Sequence, residues 1–227
     1  MIKIEKFEVL GWEHAIRGMR NPMNSWEKSD SGWEPQFDTV QGPVAGEFII
    51  GPNDYALMKN LRNAGTDHRK FMRMITVYLD ITAPLYWWKE FDTYKVATVA
   101  NSCSTMHKIG DKEFTLDDFS HEHLFHNVND TEMWLDVDFF NVLDNTIFYL
   151  NKARELYLKT HDKKYWWQMI QLLPSSYNQK RTVMLNYEVL ANIYKSRRHH
   201  KLDCWHTLCD CIEELPYSEL STGEEYE

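Results

Sequence analysis

Asn186 and Arg197 stand eleven positions apart in the run LPSSYNQKRTVMLNYEVLANIYKSRR, residues 173–198. At 100° per residue, eleven positions return to within about 20° of the same helix face. A carboxamide can pair with the edge of a base, and a guanidinium that never deprotonates can grip a phosphate. One helix line carrying both suits a ligand with a ring at one end and an anion at the other. A solvated helix face has the same spacing, so on these residues alone both readings stay open. The basic run KSRRHHK, residues 195–201, likewise reads as a phosphate patch or as cations complementing a helix C-terminus.

Other residues have the right chemistry and weaker spacing. His121, His123 and His126 put three imidazoles close together, but zinc needs a fourth ligand and no Cys/His pair at standard spacing supplies one. They read as exposed loop histidines, and no metal is expected. His199, His200, Cys204, His206, Cys209 and Cys211 form a second cluster, in which Cys204, Leu208 and Cys211 look like the buried stripe of an amphipathic helix. Cys103 as a nucleophile would need a base, which nothing adjacent in sequence supplies, though Lys95 or His107 could in space. A small half-buried thiol is the plainer reading. The pairs Trp87-Trp88 and Trp166-Trp167 could stack on a ring, and read first as helix packing. There is no phosphate-binding P-loop, glycosidase carboxylate pair or dinucleotide-binding glycine motif.

These residues need a frame, and the 227-residue chain has the material for one. Hydrophobic residues make up 43% and aromatics 14%, enough for a sizeable core or wide subunit contacts. The net charge of −9 opposes nonspecific nucleic-acid binding while leaving room for a local basic pocket. Three of the four cysteines cluster late and no signal peptide precedes them, which predicts a cytoplasmic chain with reduced thiols. No apolar run approaches membrane-spanning length.

The pattern predicts a strand over 2–10, a long loop over 21–45 and a short strand over 47–50. A helix capped by Asn53 or Asp54 runs to Asn63 and stops at Gly65. A strand spans 71–81, with Ile75, Val77, Leu79 and Ile81 pointing one way. Ala83-Pro84 opens the helix PLYWWKEFDTYK. Residues 97–132 read as irregular. A strong helical run covers 134–160, and two helices follow near 180–198 and 200–214. The expectation is a single domain over 1–227, with an irregular N-terminal part over 1–46 and a frayed tail over 216–227.

A strand ending in Ala-Pro, an aromatic helix, a polar segment, then Leu-Pro-x11-Asn with an Arg eleven residues on: this order resembles the flavin-dependent thymidylate synthases, over roughly residues 50–215. The resemblance implies an α+β fold with a mixed sheet and long helices. It implies a homotetrameric flavoprotein that binds FAD, uses NADPH and methylenetetrahydrofolate, and acts as a methyltransferase converting dUMP to dTMP. Carried over by position, Leu173, Pro174 and Asn186 meet the motif without a gap. Arg197 falls on the family's substrate-holding Arg, Asn192 on a flavin contact, and His68 near the family's His. The implied substrate residues are thus Arg197, Asn186, Lys95 and Cys103, and the implied cofactor residues Asn192, Asn186, Lys95 and His68. The chain departs from the signature over 93–107. Thr93, Tyr94 and Lys95 replace Arg-His-Arg, Cys103 replaces a Ser, Thr105 the phosphate-gripping Arg, and Met106 a Tyr. Ile170 stands for a further Arg and Glu90 for a Gln. Charge-assisted contacts worth about 1.5–3 kcal/mol each are lost with those arginines. Two functions are therefore expected side by side. One is a divergent enzyme of pyrimidine nucleotides with possible methyl or methylene transfer. The other is a catalytically silent homologue that binds a nucleotide or a protein.

Overall fold

A computed structural model of the chain describes residues 2–38, 42–126, 128–130 and 135–223. In chain order it contains β1 (Lys3–Leu10), α1 (Trp12–Arg20), β2 (Gly32–Asp38), β3 (Gly42–Ile49), α2 (Pro52–Asn63), β4 (Thr76–Pro84), α3 (Leu85–Phe91), β5 (Val99–Ser102) and α4 (Thr105–Lys108). Then come β6 (Val128–Asp130), β7 (Leu135–Val137), α5 (Phe139–Thr160), α6 (Lys163–Leu172), β8 (Asn178–Asn186), α7 (Tyr187–Arg197), α8 (Cys204–Glu213) and α9 (Glu219–Thr222). A four-stranded sheet runs β1-β4-β8-β5, and two hairpins, β2-β3 and β6-β7, stand apart from it. The class is α+β, as the resemblance implies.

Two compact units share the chain. One comprises Met1–Lys3, Ile81–Thr93 and Asn101–Thr182, the other Ile4–Asp80, Tyr94–Ala100 and Val183–Glu227. In the first, Ile109, Phe114 and Phe119 form an apolar core with Leu143, Leu150 and Ala153 of α5 and Met169 of α6. In the second, α7 buries residues around most of its circumference, which marks a central helix. It packs against α8, α9 and the 3-10 segment Arg69–Met74.

Several elements differ from the sequence pattern. Residues 178–186 form strand β8 rather than the start of a helix, because Val183 and Leu185 alternate into the core. Over the expected loop 21–45 lie two 3-10 turns and most of the β2-β3 hairpin, and over 1–46 at large also β1 and α1. The chain around 216–223 is docked rather than frayed, since Leu220 and Ser221 of α9 are buried. Residues 224–227 lie outside the described residues. The strand expected from Phe71 starts at Thr76, after the 3-10 segment. Its inward residues Val77, Leu79 and Ile81 are buried as the period of two predicts.

Asp54 is an anchor rather than a cap. Its carboxylate is fully buried and accepts bonds from Arg20 Nε (2.6 Å), the hydroxyls of Ser29 (2.6 Å) and Ser31 (2.7 Å), and the N–H groups of Asp30 (3.1 Å) and Ser31 (3.2 Å). Burial alone would raise its pKa, but these bonds and the Arg20 charge hold it below the ordinary carboxylate value. Asp30 does the capping from a distance, accepting from Asn53 N–H (2.9 Å) and Asp54 N–H (3.0 Å). Gly51 permits that approach, because a Cβ there would overlap Asp30.

Candidate functional site

Asn186 sits where β8 becomes α7. Its extended backbone makes it the N-cap, and its Oδ1 accepts the Val189 N–H at 3.1 Å. Its Nδ2 donates to the Val96 carbonyl at 3.1 Å, and the residue is 2% exposed. At the far end of α7, Arg197 Nε donates to the Tyr94 hydroxyl at 3.0 Å, and its guanidinium lies 4.7 Å from the Trp205 ring centroid. Both side chains therefore meet one strip of the chain's own backbone and side chains, Tyr94–Val96. The capping role of Asn186 was not legible from helical spacing, because the spacing does not say where the helix begins. Lys95 belongs to the same strip and is exposed.

Asn192 and His68 lead to a different face of α7. Asn192 Oδ1 accepts from Arg69 Nη2 at 3.0 Å, 123 positions away in sequence, and Arg69 follows His68 directly. Glu188, buried in the first turn of α7, accepts two bonds from Arg73, and one of its oxygens lies 3.5 Å from Arg69 Nε. That last contact is an ion pair without a formed hydrogen bond, and Arg69 Nε is a buried donor with no acceptor among the described residues.

Beside these groups opens a cleft of about 450 Å³, whose charged lining among the described residues is Arg62, Arg69, Lys195, Arg198 and His199, with no acidic residue. Three of the five come from α7 and its end, at the i, i+3, i+4 spacing that turns Lys195, Arg198 and His199 to one face. Arg198 is neutralised by Asp210 (2.7 Å) and Glu213 (3.1 Å). Arg62 and Lys195 have no carboxylate within ion-pair distance among the described residues. Arg62 donates instead to the Leu220 carbonyl (3.3 Å) and to Asn63 Oδ1 (2.9 Å). Burial, and then the nearby Arg69 charge, hold its guanidinium below the usual arginine pKa. A cation desolvated and repelled in this way is stabilised by any anion that enters. Gly223 leaves the room it needs, since a Cβ there would overlap the Arg62 guanidinium. The arginine in α2 and the buried donor on Arg69 were missed in the sequence. The basic run at 195–201 was the signal for the rest.

Cys103 lies in the other unit, exposed, in a cleft of about 480 Å³ with Lys108, Lys112, Lys180 and Tyr177. Its N–H donates to Lys180 O (2.9 Å) and its carbonyl accepts from Gln179 Nε2 (2.8 Å). Three aspartates line the same cleft, and Lys108 and Lys112 are paired with Asp111 and Asp118. Its charges are largely settled internally, so it attracts an anion less than the α7 cleft does.

The remaining clusters are structural. Burial pushes the Cys209 and Cys211 thiols up to about 11, which keeps them from acting as thiolates. His121 Nδ1 meets the Phe119 carbonyl at 2.8 Å, and His126 stacks on Phe140. No group of three His, Cys, Asp or Glu able to hold a metal occurs among the described residues. Trp87 and Trp88 are buried against each other and Phe91. No helix among the described residues is long and apolar enough to cross a membrane.

No protein-family model matches the chain, and no curated protein does. Solved structures do. A crystal structure of thymidylate synthase X from Helicobacter pylori with FAD and dUMP aligns with a TM-score of 0.65 at 16% identity, covering 99% of this chain and 98% of that one. A second structure of the flavin-dependent enzyme from the same organism, also with FAD and dUMP, gives 0.61 at 17% identity, covering 98% and 97%. The UMP/dUMP methylase PolB from Streptomyces cacaoi, bound with 5-Br UMP, gives 0.54 at 11% identity, covering 88% and 78%. The chain shares the fold of these proteins along nearly its whole length.

Proposed function

We propose that this protein binds a pyrimidine nucleotide, with the phosphate held in the α7 cleft by Arg62, Lys195 and Arg69. The observation that carries the reading is a cleft whose described lining is basic and holds no acid, with Arg62 and Lys195 lacking a carboxylate partner among the described residues. It lies on a fold whose solved examples were crystallised with FAD, dUMP and 5-Br UMP. In this reading Arg69 contributes the part of its guanidinium that lines the cleft. Asn192 orients that guanidinium. Arg197, Asn186 and Lys95, the substrate residues that the family resemblance implies, meet on another face of α7, where Arg197 holds the Tyr94–Val96 strip in place. Cys103 remains a substrate residue only as the family resemblance implies it.

The flavin part of the proposal rests on the same electrostatics. The cleft suits a pyrophosphate as well as a monophosphate, and His68, Asn192 and Asn186 are the cofactor residues that the family resemblance implies. FAD, when bound, supplies the redox ring for methyl or methylene transfer to a dUMP-like substrate. A second reading, a nucleotide-binding protein without catalysis, is favoured by one observation. Tyr94, at the signature position of a family His, has its hydroxyl engaged by Arg197. Self-association is part of the proposal as well. On α5, Val142 (63% exposed), Tyr149 (60%) and Leu156 (42%) recur every seven residues on one face, as an unfilled helix–helix seam would.

Calorimetry with dUMP and deoxyuridine, together with visible absorbance after incubation with FAD, tests these readings. Binding of dUMP with no measurable binding of deoxyuridine supports the phosphate cleft. Flavin retained through gel filtration supports the enzyme. Nucleotide bound by a protein that retains no flavin selects the second reading, and equal binding of dUMP and deoxyuridine overturns the cleft.

A further inference from the structure

A separate cleft of about 400 Å³ opens between α1 and the β2-β3 hairpin, in the same unit. Its walls are Trp26, Trp33 and Phe48, and its charged groups are Glu13, Arg17 and Arg20. The volume falls in the range of small-molecule sites, about 300–1,000 Å³. Trp26 and Trp33 are 50% and 62% exposed, an unusual cost for two indoles so near each other in sequence. Each indole is nevertheless tied down by its N–H. Trp26 Nε1 donates to Asn21 Oδ1 at 2.8 Å, and Trp33 Nε1 donates to Glu13 Oε2 at 3.2 Å. Phe48 meets Trp33 edge-on at 5.4 Å.

The loop that carries the first indole is also rigid. Arg20, 5% exposed, donates to the carbonyls of Ser25 (3.1 Å) and Lys28 (3.0 Å) while Asp54 holds its Nε. Asp54 fixes Ser29, Asp30 and Ser31 as well. The aromatic walls are thus preorganised, and a ring entering between them gains stacking without ordering the loop. Gly32 borders open space at the mouth, since a Cβ there would meet nothing. Arg17 is exposed at the rim, one helical turn beyond Glu13, and has no carboxylate within ion-pair distance among the described residues.

We infer that this cleft binds a small planar heteroaromatic ring carrying an anionic group. The ring lies against the Trp26 and Trp33 faces, the anion meets the Arg17 guanidinium, and the Glu13 carboxylate accepts a ring N–H where one is present. Charge complementarity selects this occupant. Glu13 already accepts from the Trp33 indole and Arg20 is paired with Asp54, so Arg17 is the charged group of the cleft left without a partner among the described residues, and an anion supplies one.

The probes are quinoline-2-carboxylate and its neutral amide, titrated calorimetrically into the full chain, with saturation-transfer NMR to show which ring protons touch protein. The carboxylate binds tighter than the amide by about tenfold or more. Arg17→Gln removes that preference and leaves the amide unchanged. Trp33→Leu weakens both probes by about tenfold or more. The indole is largely exposed, so the variant keeps its fold, as circular dichroism checks. Arg62→Gln, in the other cleft, changes neither affinity, which keeps this inference separate from the nucleotide reading. Equal affinity of the two probes, or no binding of either up to about 1 mM, overturns the inference. A Trp33→Leu variant that alters the sedimentation coefficient while no probe binds also overturns it, and assigns the face to a second copy of the chain.

Discussion

Arg62→Gln is the most direct probe of the α7 cleft. Arg62 is partly buried, is repelled by Arg69 and has no carboxylate to neutralise it among the described residues. A phosphate in the cleft would receive from it a charge-assisted hydrogen bond, worth about 1.5–3 kcal/mol. At about 1.4 kcal/mol per factor of ten, the substitution weakens dUMP binding roughly 10- to 150-fold. It leaves the unliganded chain nearly as stable as before, within about 1 kcal/mol. The lost bond to Leu220 O (3.3 Å) is weak, and the repulsion from Arg69 goes with it. The two effects separate binding from folding. The assay is calorimetry at low salt and at about 0.15 M, with urea unfolding of the free protein alongside. Parent affinity falls with salt, and the variant falls less steeply because one cation is gone. A loss of less than about threefold, or an equal loss for deoxyuridine, would refute the reasoning, since Arg62 would then not face the phosphate.

Other consequences are equally specific. Asp54→Asn leaves Arg20 buried without its counter-ion and turns an acceptor into a donor facing two hydroxyls. The cost is about 3–5 kcal/mol, seen as a fall of roughly 6–20 °C in the melting midpoint. Because the folded Asp54 pKa is depressed, its stabilisation is complete above the unfolded value of about 3.9 and is lost as pH falls through the folded value. The parent therefore loses stability below about pH 4 in urea titrations, and the Asn variant loses less. Asn186→Ala removes the α7 cap and the bond to Val96, costing about 1–3 kcal/mol by urea unfolding. Asn186→Asp restores the cap without the donor, and recovers only part. Val142→Lys and Tyr149→Lys place charges on the exposed α5 face, and in sedimentation each shifts the assembly toward smaller species while the unfolding midpoint of the isolated chain stays put.

Hydrophobic period alone reached β4, α2, α5 and α8, because each has a buried stripe repeating at 2 or 3.6 residues within a single window. The same reasoning misread 178–186, where a nine-residue strand feeds a helix with no break in composition. Asn186 belongs to both patterns, and only the backbone turn between them makes it a cap. The loop expected over 21–45 failed for another reason. Its order comes from Arg20 and Asp54, 34 positions apart, which no local window joins.

The family resemblance was readable because Leu-Pro-x11-Asn and the Arg after it lie in one contiguous stretch, which the structure resolves into strand β8 followed by α7. Residue type by itself marked Lys195, Arg198 and His199 as a basic face. Tertiary structure alone brought Arg62 and Arg69 against that face, left no acid in the cleft's described lining, and set the Tyr94–Val96 strip across the line from Asn186 to Arg197. Charge in a sequence is a sum. Whether a cation has a partner depends on distances of a few ångströms between segments far apart in the chain, and those are decided only when the segments pack.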